Sequence, residues 1–161
     1  MKTAVYTGSF DPITLGHLNV IERSSRLVEH LVIGIGVNIE KTGLFKSEER
    51  LDLVRQVTAH LDNVQVETFE GLAVNFVKKC DAKVMIRGVR PLTDIAAEFT
   101  MMMANRALND ELETVFLMAD GEYAHVSSSL IKQVTPLATD EQLARFVPSE
   151  IIPDLRKKLT P

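Results

Sequence analysis

Five short apolar runs, each parted from the next by a stretch with helical spacing, constrain this chain more than any other feature of its sequence. The runs cover residues 4–6, 31–37, 64–69, 84–86 and 115–118. The first, second and fourth lack a clear polar–apolar alternation, the pattern of parallel strands covered on both faces. Between the runs, Leu18, Ile21 and Val28, then Leu51, Val54 and Leu61, then Leu72, Phe76 and Cys80 recur at helical intervals. A fourth helix is expected from about Asp94 to Leu108. This alternation predicts an α/β fold: a doubly wound, five-stranded parallel sheet with right-handed crossovers and helices on both faces. Beyond the last run the chain turns helical around 129–133 and again from Thr139, where Thr139-x-x-Gln142 fits a capping box, and Pro148 marks a break. No repeat, low-complexity stretch or linker intervenes, so residues 1–161 are expected to form one domain.

Charge and cysteine usage narrow the partners. With 18 Lys and Arg against 22 Asp and Glu, the net charge of −4 argues against general binding to nucleic acid or anionic membranes. The single cysteine, Cys80, excludes an internal disulfide and suits a reducing compartment. No signal-peptide-like run precedes Gly8-Ser9-Phe10-Asp11-Pro12, and no stretch approaches the roughly 20 apolar residues of a membrane span. A cytoplasmic protein is expected.

In open sheets of this type, ligands bind beyond the C-terminal ends of the strands. If Thr14 caps the first helix, Leu15, Gly16 and His17 occupy its first turn, whose backbone N–H groups lack helical partners. His17 then leans toward those donors, and Gly16 lets a phosphate approach the backbone. This is a phosphate site, although a surface histidine beside a turn glycine fits equally well. After the fourth run, Arg87-Gly88-Val89-Arg90 places two guanidinium groups at one sheet edge, with Gly88 allowing a sharp turn between them. They suit a polyanion; the alternative is a structural ion pair with Asp94 or Glu98. Lys41 lies in the polar loop 38–43, where it either neutralises charge on a transferring phosphoryl group or faces solvent. In Ser127-Ser128-Ser129, Ser128 or Ser129 can cap the helix that follows, leaving hydroxyls and N–H groups for a second phosphate.

Several common chemistries lack their signatures. There is no Gly-x-Gly-x-x-Gly fingerprint, no Gly-x4-Gly-Lys-Ser/Thr loop and no Gly-x-Ser-x-Gly elbow. Histidines 17, 30, 60 and 125 show no metal-ligand spacing, and the Met101, Met102, Met103 cluster reads as core filling or a subunit contact.

Taken together, Tyr6-Thr7-Gly8-Ser9-Phe10-Asp11-Pro12, Thr14-x-Gly16-His17, Arg87-Gly88-Val89-Arg90 and Ser127-Ser128-Ser129-Leu130-Ile131-Lys132 resemble the motifs of bacterial phosphopantetheine adenylyltransferases. These belong to the Thr/His-x-Gly-His nucleotidyltransferase superfamily. The resemblance spans essentially the whole chain and implies a Rossmann-like nucleotidyltransferase fold. It implies transfer of the adenylyl group of ATP to 4′-phosphopantetheine in coenzyme A biosynthesis, giving dephospho-coenzyme A and pyrophosphate, with Mg2+ and in a homohexamer. By position, Ser9 and Phe10 match residues lining both substrates, and His17 matches the group that stabilises the transition state at the α-phosphate, with Lys41 and Arg90 beside it in catalysis. Lys41 and Arg87 match the holders of the phosphopantetheine phosphate, with Leu72, Ala73 and Asn105 near the pantetheine arm. Gly88, Val89, Arg90, Glu98, Tyr123, Ala124, His125, Val126, Ser127, Ser128 and Ser129 match the ATP site. Ile95-Ala96-Ala97 stands where the family often has aromatics, His125 where an aromatic is common and Thr7 where proline is common, which implies altered packing around ATP. The residues alone also admit a sibling enzyme with another phosphorylated acceptor, and a nucleotide sensor without turnover.

Overall fold

The computed structural model describes residues 2–38, 42–90 and 94–160. Each apolar run becomes a strand: β1 (Thr3–Gly8), β2 (His30–Val37), β3 (Val64–Glu70), β4 (Val84–Val89) and β5 (Glu113–Met118). All pair in parallel, in the order β3-β2-β1-β4-β5. The chain therefore winds outward from β1 to β3, crosses back and winds outward again through β4 to β5. The strands outrun the apolar runs because polar residues at their ends still join the ladder. Gly88 is one such residue: it pairs with Leu117 inside β4 and makes no sharp turn between the arginines.

The helices are α1 (Leu15–Ser25), α2 (Ser47–Thr58), α3 (Ala73–Lys79), α4 (Ile95–Leu108), α5 (Ser128–Val134), α6 (Asp140–Leu143) and α7 (Ile152–Leu159). The period-two alternation of strands divides the core between the two faces of the sheet. Ala4, Tyr6, Ile33, Ile35 and Ile86 pack with Ile21 of α1, Val54 of α2, Ile131 of α5 and Leu155 of α7. Val5, Val32 and Met85 point the other way, against Val74, Phe76 and Val77 of α3. On that second face Asn105 of α4 reaches the sulfur of Met85. Burying each of the Val, Ile, Leu, Phe and Met side chains among these contributes about 1.5–3 kcal/mol.

Several expectations change on folding. Leu72 is the N-cap of α3 and more than half exposed, so it does not share a buried stripe with Phe76, while Cys80 is the helix C-cap. Val28 and Leu61 lie just past the ends of α1 and α2. Met101 and Met103 are more than half exposed, which excludes core filling for both. The Thr139 capping box forms as read, closed by Gln142. Past Pro148, where spacing suggests a break, a 3-10 turn (Ser149–Ile151) leads directly into α7. Pro153 in its first turn is a helix-start signal, and buried Ile152 and Leu155 dock it on the core. Among the described residues no helix is long and apolar enough to cross a membrane.

Candidate active site

The loop after β1 delivers the first functional group. Phe10 takes a left-handed conformation (φ 47°), the Asp11–Pro12 peptide is cis, and Thr14 then caps α1. The cap is reciprocal: Thr14 Oγ1 accepts from the His17 amide, and the Thr14 amide donates to His17 Nδ1 at 3.1 Å. A backbone N–H can only donate, so Nδ1 carries the lone pair and the ring proton sits on Nε2. The Phe10 ring meets the imidazole edge-on, with centroids 5.1 Å apart, and does the same to Tyr6 at 5.4 Å. Burial, reinforced by the charges of Arg90 and Arg87, pushes the His17 pKa down to about 4. At neutral pH His17 is an uncharged N–H donor.

Two clefts open beyond the C-terminal ends of the strands, one on each face of the sheet. The smaller, about 220 Å³, is lined by Tyr6, Thr14, Gly16, His17 and Val20, by Gly88, Val89 and Arg90, and by Ala119, Tyr123, Val126, Ser127, Ser128 and Ser129. The larger, about 750 Å³, is lined by Thr7, Gly8, Ser9, Gly36, Val37 and Asn38, by Phe69, Glu70, Gly71, Leu72 and Ala73, and by Met85, Arg87, Met101 and Asn105. Strand alternation separates them: Tyr6 and Gly88 face the first, Thr7 and Arg87 the second. Gly88 is required by close approach, since a Cβ there would lie 2.7 Å from the Tyr6 hydroxyl, whose pKa burial raises. Gly16 is not required by packing. A Cβ there would meet protein atoms no nearer than 3.6 Å, so what the glycine spares is space in the cleft.

Both arginines are ion-paired and line a cleft at the same time. Arg87 Nε and Nη2 donate to the Glu98 carboxylate at 2.7 and 2.6 Å, while Nη1 donates to the Thr7 carbonyl and Oγ1. Burial opposes the charge on Arg87, but Glu98 outweighs it and raises the pKa. Arg90 forms a two-pronged pair with Asp94, at 2.8 Å for each bond. The two carboxylates come from one helix, Asp94 as the N-cap of α4 and Glu98 from its first turn.

Of the residues singled out in the sequence, Ser9, Leu72, Ala73, Arg87 and Asn105 gather around the larger cleft. His17, Gly88, Val89, Arg90, Tyr123, Val126, Ser127, Ser128 and Ser129 gather around the smaller one. Phe10 lines neither; it is buried behind His17. Glu98 also lines neither and is held by Arg87, while Ala124 caps the 3-10 turn Gly121–Tyr123 and His125 packs edge-on to Phe146. Lys41 lies outside the described residues. The cap of α5 is Ser127, accepting from the Leu130 amide, and not Ser128 or Ser129. Ser128 instead donates to the Pro12 carbonyl at 2.8 Å, and the Ser129 hydroxyl keeps no partner among the described residues.

Two buried charges escaped the sequence reading. Arg50 donates to the carbonyls of Ser9 (2.7 Å) and Gly36 (3.2 Å), tying together the exits of β1 and β2. Its signal was its spacing, because it stands in register with buried Leu53, Val54 and Val57 on the inner stripe of α2. Asp11 is the second, and its partners come from α5 and from the segment before α2. No local pattern announces them.

A family model described as cytidylyltransferase-like matches residues 5–134. The chain is 63% identical, over 97% of its length and 88% of the relative's, to the phosphopantetheine adenylyltransferase of Rhodopirellula baltica. It is 45% identical, over 99% of its length and 96% of the relative's, to that of Clostridium botulinum. Among solved structures, nicotinic acid mononucleotide adenylyltransferase of Plasmodium falciparum superposes with a TM-score of 0.69 at 14% identity, covering 98% of this chain and 94% of the other. A putative nicotinate-nucleotide adenylyltransferase from Vibrio parahaemolyticus gives 0.66 at 17% identity, covering 97% and 91%. At such identities the superpositions establish the fold.

Proposed function

The chain belongs to the phosphopantetheine adenylyltransferase family, and from that premise we propose that it moves the adenylyl group of ATP onto 4′-phosphopantetheine across the junction of its two clefts. The products are dephospho-coenzyme A and pyrophosphate. The observation that supports this reading best is the pair of clefts lined by consecutive residues of the same two strands, Tyr6 and Gly88 in one and Thr7 and Arg87 in the other. ATP takes the smaller cleft, between the first turn of α1 and the serine run of α5. Phosphopantetheine takes the larger, whose apolar wall of Phe69, Leu72, Met85 and Met101 suits its arm and whose Arg87 suits its phosphate.

In this scheme an oxygen of the acceptor phosphate forms a bond to the α-phosphorus of ATP while the bond from that phosphorus to pyrophosphate breaks. The nucleophile is already anionic, so the protein need supply no strong base. The obstacle is the approach of two anions, which Arg87, Arg90 and Lys41 offset. His17 offers its Nε2 proton to the α-phosphate oxygens as negative charge grows there. Because the ring is neutral and its other nitrogen is fixed by Thr14, the donor is aimed before substrate arrives.

Magnesium fits this scheme as a companion of the nucleotide. Among the described residues no group of three or more His, Cys, Asp or Glu makes a metal cage, and Mg2+ in nucleotide enzymes keeps several waters and binds largely through phosphates. Its chemistry would be to neutralise charge on the departing pyrophosphate.

The exposed apolar side chains of α4 and β5 support self-assembly, which this reading takes to be a hexamer. Ile95, Phe99 and Met103 recur every four residues on α4, each more than half exposed, with Phe116 and Met118 of the edge strand also partly exposed. A cytoplasmic site of action belongs to the same reading.

Pyrophosphate release from ATP tests the proposal directly. Release is expected on adding phosphopantetheine. Release with nicotinate mononucleotide instead would assign another acceptor, and ATP binding without release to either would make the chain a sensor.

A further inference from the structure

Asp11 is a buried carboxylate that the scheme above leaves without a task. Its Oδ1 accepts from the Phe45 amide at 2.8 Å. Its Oδ2 accepts from the Leu44 amide at 2.8 Å and from the Lys132 ammonium at 3.1 Å. Gly43 presses against the same oxygen, so closely that a Cβ there would lie 2.9 Å away. A carboxylate withdrawn from water needs donors to offset the lost hydration, and these three provide them.

The donors come from two places far apart in sequence: the segment leading into α2, and α5. Helix α5 grips the next residue too, through the bond from Ser128 Oγ to the Pro12 carbonyl. On the other side of Asp11, Phe10 abuts His17 and Ser9 lines the larger cleft. Asp11 itself lines neither cleft. Its bonds nevertheless fix the loop carrying Ser9 and Phe10 relative to α5, which walls the smaller cleft.

We propose that Asp11 is a positioning residue whose carboxylate fastens the loop after β1 to α5 and to residues 44–45, and so holds the two clefts at their working separation. The inference rests on the adenylyl-transfer reading of the site. Asp11→Asn keeps the volume and the bond from Phe45, but turns an amide NH2 toward the Leu44 amide and Lys132, where donor meets donor. In assays of pyrophosphate release, KM for ATP and for phosphopantetheine should each rise roughly tenfold, with kcat within about threefold of the parent, because His17 keeps its cap on Thr14. Lys132→Met cuts only the α5 arm and should raise KM for ATP alone. Combined with Asp11→Asn it should raise that KM no further, since both remove one link.

Parental KM values in Asp11→Asn would overturn the proposal. So would a fall in KM for ATP, the sign of a lysine released to bind phosphate itself, or a loss confined to kcat that tracks the unfolded fraction seen by circular dichroism. If Asp11→Asn does not fold, Lys132→Met decides: a raised KM for ATP supports the link and a parental one overturns it. A parent chain that releases no pyrophosphate with phosphopantetheine defeats the functional reading instead, so the two failures are distinguishable.

Discussion

At the scale of the residue, the histidine in the first turn of α1 owes its chemistry to one hydrogen bond. The Thr14 amide occupies Nδ1, burial and two arginines keep the ring neutral, and the remaining proton points outward as a donor. Replacing His17 with alanine should therefore leave ATP affinity within a few-fold, by calorimetry, while lowering kcat by at least roughly 100-fold, as loss of a transition-state donor does. A kcat within a few-fold of the parent would remove His17 from the mechanism. This local geometry was readable in the chain because a cap and its partner lie three residues apart. The pairing of Arg87 with Glu98 was readable only as one of two options, since whether a guanidinium lines a cleft or meets a carboxylate depends on where a helix lands. Here it does both. Asp11 was not readable at all: its partners are 33, 34 and 121 residues away.

At the scale of the element, run length and helical spacing identified all five strands and the four helices between them, because strands covered on both faces read as short continuous apolar runs and helices bury one stripe. The last helix was missed. Its start signal, a proline in the first turn, follows so closely on Pro148 that the two read as one interruption. Helix α4 presents the opposite case: its apolar residues were visible, but whether they faced the core or a neighbour was not. Exposure excludes the core, and the proposed assembly is what would cover this face. Phe99 is 54% exposed in the single chain, so Phe99→Glu should spare the monomer core and leave the melting profile of the monomer's secondary structure intact. By sedimentation equilibrium the mass should fall below that of the parent assembly. A parent-sized particle would show that this face is solvated.

At the scale of the whole molecule, the buried titratable groups of the smaller cleft make the fold sensitive to acid. The unfolded chain binds a proton at His17 near pH 6.5, whereas the folded chain resists until about pH 4. Between those values the unfolded state holds more protons, so stability is full above pH 6.5 and declines as pH falls, by up to about 3 kcal/mol from this group. Chemical denaturation at pH 7 and pH 4.5 should show the parent losing more stability than a His17→Asn variant, and equal losses would remove His17 as the cause. Tyr6 acts in the opposite sense at the alkaline end, where its buried neutral phenol resists ionisation. Arg87 has a different consequence for the molecule as a working catalyst. Four of its five guanidinium hydrogens are committed to Glu98 and Thr7. In the proposed reaction an arriving phosphate finds one guanidinium hydrogen uncommitted and competes with Glu98 for any more, so the arginine would report the contrast between two rivals, not the full strength of either. On that reading a doubly charged terminus would win the competition more readily than a singly charged one, and Glu98 would stay within reach to take back the hydrogens a departing product releases.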